Sequence, residues 1–117
     1  MSPPATTPSQ GEIWFVTFSP VVGNEQAGER PALVLSRDEL NRTGLSMVIP
    51  GTSVHKKRPG RVAVPQGAGG LEVDTYFLCD QIRTVDVSRF RRRVGRLDTK
   101  YVRQSLSQVT FFLSLRE

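Results

Sequence analysis

The segment "EIWFVTFSP", residues 12–20, places the tightest limit on what this chain can fold into. Strand periodicity sets Ile13, Phe15 and Thr17 on one face and Trp14, Val16 and Phe18 on the other. Both faces are largely apolar, so the strand needs cover on both sides. It is either a central strand or a strand of a barrel. A chain of 117 residues has room for one domain with one real core. With several further short strands and one terminal amphipathic helix, the chain reads as a small, strongly bent sheet or an SH3-like barrel.

The rest of the sequence supplies more short strands. "PALVLS" is a short continuous apolar run, "LSMVIPGTS" is the next, and "RVAVP" alternates. "LEVDTYFLCDQIRTVD" reads as two strands broken near Asp80 and Gln81. Between the second and third strands, "RDELNRTG" makes about two helical turns, with Ser36 as N-cap, Glu39 three residues on, and Gly44 as the stop. "QGAGG" reads as a flexible tip; it lacks the Lys-Ser/Thr ending of a phosphate loop. "RFRRRVGRLD" reads as a basic connector. A C-terminal helix starts at Thr99 behind an Asp98 cap. Val102, Leu106, Val109 and Leu113 form its apolar stripe. Adjacent Phe111 and Phe112 cannot share one helix face; burying both needs either a wide apolar face or a second chain. Residues 1–10, "MSPPATTPSQ", lack apolar periodicity and read as a disordered arm. The domain spans 11–117. The expected architecture is mainly β with α: a small SH3-like barrel of short, mostly antiparallel strands with one opening covered by the terminal amphipathic helix.

Sixteen Lys and Arg against eleven Asp and Glu give a formal net charge of +5. That balance favours an anionic partner, nucleic acid being the commonest, though a merely soluble basic surface has the same charge. One cysteine, Cys79, excludes an intrachain disulfide; in "YFLCDQ" it reads as a packed, inert thiol. One Cys, one His and no acidic cluster give no metal site. No stretch is long and apolar enough to span a membrane, and no basic-then-apolar leader begins the chain, so the cytoplasm is the expected compartment.

Three polar groups are candidates to meet in space. In "GNEQAGERP", Pro31 holds Arg30 in extended backbone at the mouth of a strand, where a guanidinium suits a phosphate or a salt bridge to Glu25 or Glu29. In "PGTS", a Pro50-Gly51 bend presents the Thr52 and Ser53 hydroxyls, for a ligand or for the turn itself. In "CDQIRTVD", Asp80 and Arg83 follow an apolar strand, as a base and a cation or as a structural ion pair.

The order of these groups is distinctive. The blocks "GEIWFVTFSPVVGNEQAGERPALVLS", "VIPGTS" and "CDQIRTVDVSRF…VGRLD" resemble the MazF/PemK (Kid-like) toxin family of type II toxin–antitoxin systems, across about residues 11–115. The resemblance implies an SH3-like barrel related to the CcdB gyrase poison. It implies a homodimer that cuts single-stranded RNA, usually at short sequences in mRNA, without a metal or other cofactor. The 2′-hydroxyl attacks the adjacent phosphorus and leaves a 2′,3′-cyclic phosphate and a 5′-hydroxyl. Arg30 and Thr52 match the family's catalytic positions, and Ser53 a position that binds RNA. A cognate MazE-like antitoxin, with an acidic tail that folds on binding, is the implied protein partner.

The chemistry suits these residues. The pentacovalent transition state gathers negative charge that Arg30 stabilises more than it does the ground state. Thr52 can fix the scissile phosphate, and Glu25 and Asp80 are the candidate bases. Asn24, Gln26, His55, Lys56, Lys57, Arg58 and Arg83 are candidate RNA contacts. The segments "HKKRPGR" and "RFRRRVGR" read as groove linings, or as a solvated turn and a subunit contact. Trp14 is a base-stacking candidate or a core residue. Leu78 and Asn24 stand where the Kid branch carries a catalytic Arg and His, which shifts the weight to Arg30 and Thr52. Two readings compete with the nuclease: a non-catalytic CcdB-like gyrase binder, and a nucleic-acid-binding SH3-like module.

Overall fold

A computed structural model of the chain describes residues 7–18, 23 and 28–116. Along it run strands β1 (Glu12–Thr17) and β2 (Glu29–Val34), helix α1 (Asp38–Asn41), strands β3 (Leu45–Thr52), β4 (Arg61–Val64), β5 (Thr75–Leu78), β6 (Arg83–Asp86) and β7 (Phe90–Arg96), and helix α2 (Thr99–Leu113). The sheet order is β4-β5-β3-β2-β1-β7, with β6 also on β3. Every pairing among the described residues is antiparallel.

β1 is central, as its two apolar faces require. Ile13 packs with Leu33, Ile49, Val62, Phe77 and the α2 residues Val102 and Val109. Trp14, Val16 and Phe18 pack on the opposite side with Ala32, Val34, Val48, Val85 and Phe90. Each such fully buried side chain contributes about 1.5–3 kcal/mol relative to exposure.

The bend is made in β3. Its residues Leu45–Val48 pair with β6, whereas Gly51 and Thr52 pair with β5. Its other edge pairs with β2. Pro50, which has no N–H to donate, and Gly51 sit at the change of partner. A Cβ on Gly51 would stand 2.7 Å from Thr75 Cγ2 and 3.2 Å from the Pro31 carbonyl oxygen. Only glycine lets the three chains approach this closely. The bend was expected to end the strand and turn both hydroxyls outward. Instead β3 runs through it; Thr52 is buried and Ser53 alone is exposed.

The sheet is bent but not closed: β4 and β7 end its order. The turn Ala68–Gly70 fills the gap. Gly70 has φ +85°, and a Cβ there would lie 2.5 Å from the Val94 carbonyl oxygen of β7. The expected flexible tip is thus a packed turn, and glycine is what lets it pack. The expected connector "RFRRRVGRLD" is also corrected. Most of it is β7, because β1 offers an open edge to pair with.

Two helix details differ from the sequence reading. Ser36 does not cap α1. Its hydroxyl donates to Asn41 Oδ1 at 2.5 Å and accepts from the Met47 N–H at 2.9 Å, tying α1 to β3. Asp98 does cap α2, accepting from the Lys100 N–H at 2.9 Å. The buried stripe of α2 is Val102, Ser105 and Val109. Leu106 and Leu113 are exposed, and Ser105 is buried because its hydroxyl donates to the Tyr101 carbonyl at 2.8 Å. Order also begins before Gly11: Gln10 donates from Nε2 to the Leu35 carbonyl at 2.8 Å, and the Ser9 N–H donates to Glu12 Oε1 at 2.7 Å. No helix among the described residues is long and apolar enough to cross a membrane.

Candidate active site

β2 and β3 pair with Ala32 opposite Pro50, Leu33 opposite Ile49 and Val34 opposite Val48. The same register carried outward sets Arg30 across from Thr52. Residues facing each other across an antiparallel ladder share one side of the sheet. Thr52 is in turn paired with Tyr76 of β5, and Tyr76 with Ala63 of β4. On the other side Arg30 is paired with Val16 of β1, and Val16 with Phe90 of β7, so one transverse row crosses six strands with a guanidinium and a hydroxyl at its centre.

Two clefts meet on this row, and Arg30 and Thr52 line both. The larger, about 290 Å³, is mostly apolar, lined by Phe15, Pro31, Leu71, Val73 and Val94 with Ser53, Glu29, Glu72 and Arg92 at its polar parts. The smaller, about 230 Å³, is lined by Arg30, Thr52, Val54, Lys56, Arg58, Arg61 and Gln81. It gathers four cations and no carboxylate in its lining, so its potential favours an anion. Arg30 is half-buried, and partial desolvation strengthens its field. Thr52 Oγ1 accepts from the Val54 N–H at 3.2 Å, which fixes the hydroxyl oxygen and leaves its hydrogen to donate.

The other expected residues fall into distinct places. Lys56 and Arg58 line the cationic cleft; Lys57 is exposed outside it. His55 is exposed and stacks on Tyr76, ring centroids 4.7 Å apart. Asp80 sits in the 3₁₀ turn after β5 and pairs with Arg58 at 3.6 Å, beside the cleft rather than in its wall. Arg83 lies on β6 with its guanidinium over the Phe18 ring, 5.4 Å from the centroid, and lines neither cleft. Asn24, Glu25 and Gln26 lie outside the described residues.

Trp14, expected as either a stacking or a core residue, is a core residue. It is buried edge-on against Phe90, with Nε1 donating to Glu12 Oε1 at 3.1 Å. Its ring has no free face for a base. Cys79 is buried, and burial pushes its thiol up to about 11, with the neighbouring Asp80 charge acting in the same direction. It stays a protonated thiol at neutral pH.

Sequence reasoning missed two groups. Phe15, expected on a core face, reaches the apolar cleft, with the Arg92 guanidinium 4.4 Å from its ring centroid. Tyr76 carries the stacked His55. Neither has a local signal, because each is placed by a partner strand distant in sequence.

Comparison with known proteins bears on the family and the fold. Residues 9–113 match the family described as PemK-like, MazF-like toxin of type II toxin-antitoxin system. Endoribonuclease EndoA of Bacillus subtilis is 37% identical over 92 residues, covering 76% of this chain and 79% of that protein. The crystal structure of MazF from Deinococcus radiodurans superposes with a TM-score of 0.83 at 32% identity, covering 93% of this chain and 98% of the other. A MazE-MazF crystal structure from the same organism gives 0.74 at 26% identity, covering 94% and 98%. A family match over residues 9–113 and similarity across nearly the whole chain lead to one conclusion: this chain belongs to the PemK-like, MazF-like toxin family of type II toxin–antitoxin systems.

Proposed function

We propose that this protein is the toxin of a type II toxin–antitoxin pair and acts as an endoribonuclease on single-stranded RNA, mRNA included. The observation that carries the reading is that Arg30 and Thr52 both line the junction where a base-sized apolar cleft meets a cationic one. A scissile phosphate at that junction has a guanidinium and a hydroxyl within one row. The adjoining apolar cleft, with Phe15 and Pro31, suits a base, and the cationic cleft suits the sugar–phosphate chain.

The substrate's own 2′-oxygen attacks phosphorus as its proton leaves to a base. The bond to the 5′-oxygen breaks, and that oxygen takes a proton. The products are a 2′,3′-cyclic phosphate and a 5′-hydroxyl. Arg30 stabilises charge on the nonbridging oxygens, and Thr52 donates a hydrogen bond to one of them. Glu25 and Asp80 are the carboxylates proposed to receive the 2′-proton. No step calls on a metal. Ser53, Lys56, Lys57, Arg58, His55, Asn24 and Gln26 are proposed RNA contacts, and Arg83 a more distant one. The protein works as a homodimer in the cytoplasm, and an antitoxin like the MazE of the solved MazE-MazF complex silences it by covering the cationic cleft with an acidic segment.

The test is a defined transcript incubated with purified protein in EDTA, with the new ends mapped and chemically typed. Cleavage that persists in EDTA, yields cyclic phosphate ends and disappears with Arg30→Ala supports the reading. A need for divalent metal, or full cutting by Arg30→Ala, overturns the mechanism. Intact RNA with a clear gel shift would replace it with a binding module.

A further inference from the structure

The cationic cleft contains a guanidinium that the described residues do not fully satisfy. Arg61 opens β4 and lines that cleft with Arg30 and Thr52. Two of its three nitrogens, Nε and Nη1, are buried and have no hydrogen-bond partner among the described residues. Burying an N–H without an acceptor costs free energy, and a guanidinium cannot shed its proton to avoid the cost. An apolar side chain of similar volume would be tolerated better by the fold alone.

The side chain is also fixed in direction. Val62 and Val64 face the core on one side of β4, and alternation sends Arg61 and Ala63 to the other. Arg61 is paired with Leu78, two residues along β5 from Tyr76, the partner of Thr52. On ordinary strand spacings its α-carbon lies on the order of 10 Å from that of Thr52. From there an extended arginine reaches into the cleft it shares with Arg30 and Thr52; those two already supply donors to one phosphate, which leaves the next one along the chain for Arg61.

We propose that Arg61 binds the RNA backbone phosphate neighbouring the scissile one, its side chain swinging into the cleft so that this phosphate supplies the acceptors that Nε and Nη1 lack among the described residues. The proposal rests on the nuclease reading above and adds a substrate contact to it. Because the contact is made alike in ground and transition states, it acts on KM and leaves kcat nearly unchanged.

The probe is a fluorescent oligonucleotide of the mapped cleavage site, blocked by 2′-O-methylation at the cut nucleotide. Its affinity is measured against salt for wild type, Arg61→Gln, Arg61→Lys and Arg61→Met. Arg61→Gln is expected to bind roughly tenfold more weakly. Its slope of log affinity against log salt should fall by about 0.7, the value for one lost phosphate contact on a single strand. Arg61→Lys keeps the slope. Arg61→Met loses binding while its thermal midpoint holds or rises, which a purely structural arginine would not do. An unchanged salt slope in Arg61→Gln, or a fall in the thermal midpoint of Arg61→Met without loss of binding, overturns the proposal. Wild-type cleavage in EDTA, run alongside, separates the cases: if wild type cuts and Arg61→Gln binds unchanged, only the Arg61 contact fails; if wild type does not cut, the nuclease reading fails.

Discussion

Arg93 Nε donates to Glu12 Oε2 at 2.6 Å, tying the last strand of the sheet to the first. The other oxygen of Glu12 accepts from the Ser9 N–H and from Trp14 Nε1. Burial alone would raise the Glu12 pKa. The hydrogen bonds from Arg93, Ser9 and Trp14, with the Arg93 charge, outweigh burial and hold it below the ordinary glutamate value. A depressed carboxylate contributes stability that is present above its unfolded pKa and lost as pH falls through its folded pKa. Stability should therefore drop on acidification from neutral pH to about pH 3, and drop less steeply in Glu12→Gln. Urea midpoints measured across that range check this; parallel pH profiles for the two proteins count against it.

Thr52 and Arg30 should fail differently from structural residues. Thr52→Val keeps the shape and removes the hydroxyl; Arg30→Lys keeps the charge and removes the planar fork. Each should lower the cleavage rate by roughly 10²-fold, the order expected for a lost transition-state hydrogen bond, with little change in thermal midpoint. Single-turnover rates on the mapped transcript, with melting curves, are the measurement.

The Gly70 contact predicts a stability cost remote from chemistry. Its left-handed φ and its approach to the Val94 carbonyl leave no room for a methyl group. Gly70→Ala should destabilise the fold by about 1–3 kcal/mol in urea unfolding, by strain and displacement of the turn that bridges β4 and β7. A midpoint like wild type would show that the turn yields freely.

The end of α2 bears on assembly. Phe112 rests against Gly60, where a Cβ would stand 2.5 Å from Phe112 Cε2. Phe111, Leu113 and Leu115 are left exposed. If the proposed homodimer covers this apolar end, Phe111→Asp with Leu113→Asp should shift sedimentation from dimer to monomer while circular dichroism stays native. A dimer of unchanged strength in that variant would place the interface elsewhere.

The sequence alone determined what local patterns can carry. Two apolar faces on residues 13–18 required a strand covered on both sides, and β1 is that strand. Asp98 followed by a 3.6-residue stripe located α2. The ordered blocks around Arg30, Thr52 and Asp80 marked the family. Tertiary structure decided what depends on a partner. "RFRRRVGRLD" became a strand because β1 had an edge to fill. Ser36 gave up capping for a bond to Asn41, and Trp14 went to the core because Glu12 satisfied its indole N–H. Arg30 and Thr52 face each other, with Arg61 nearby, through the registers of three strand pairs. Register is set by long-range packing of whole faces, and no window of sequence contains it.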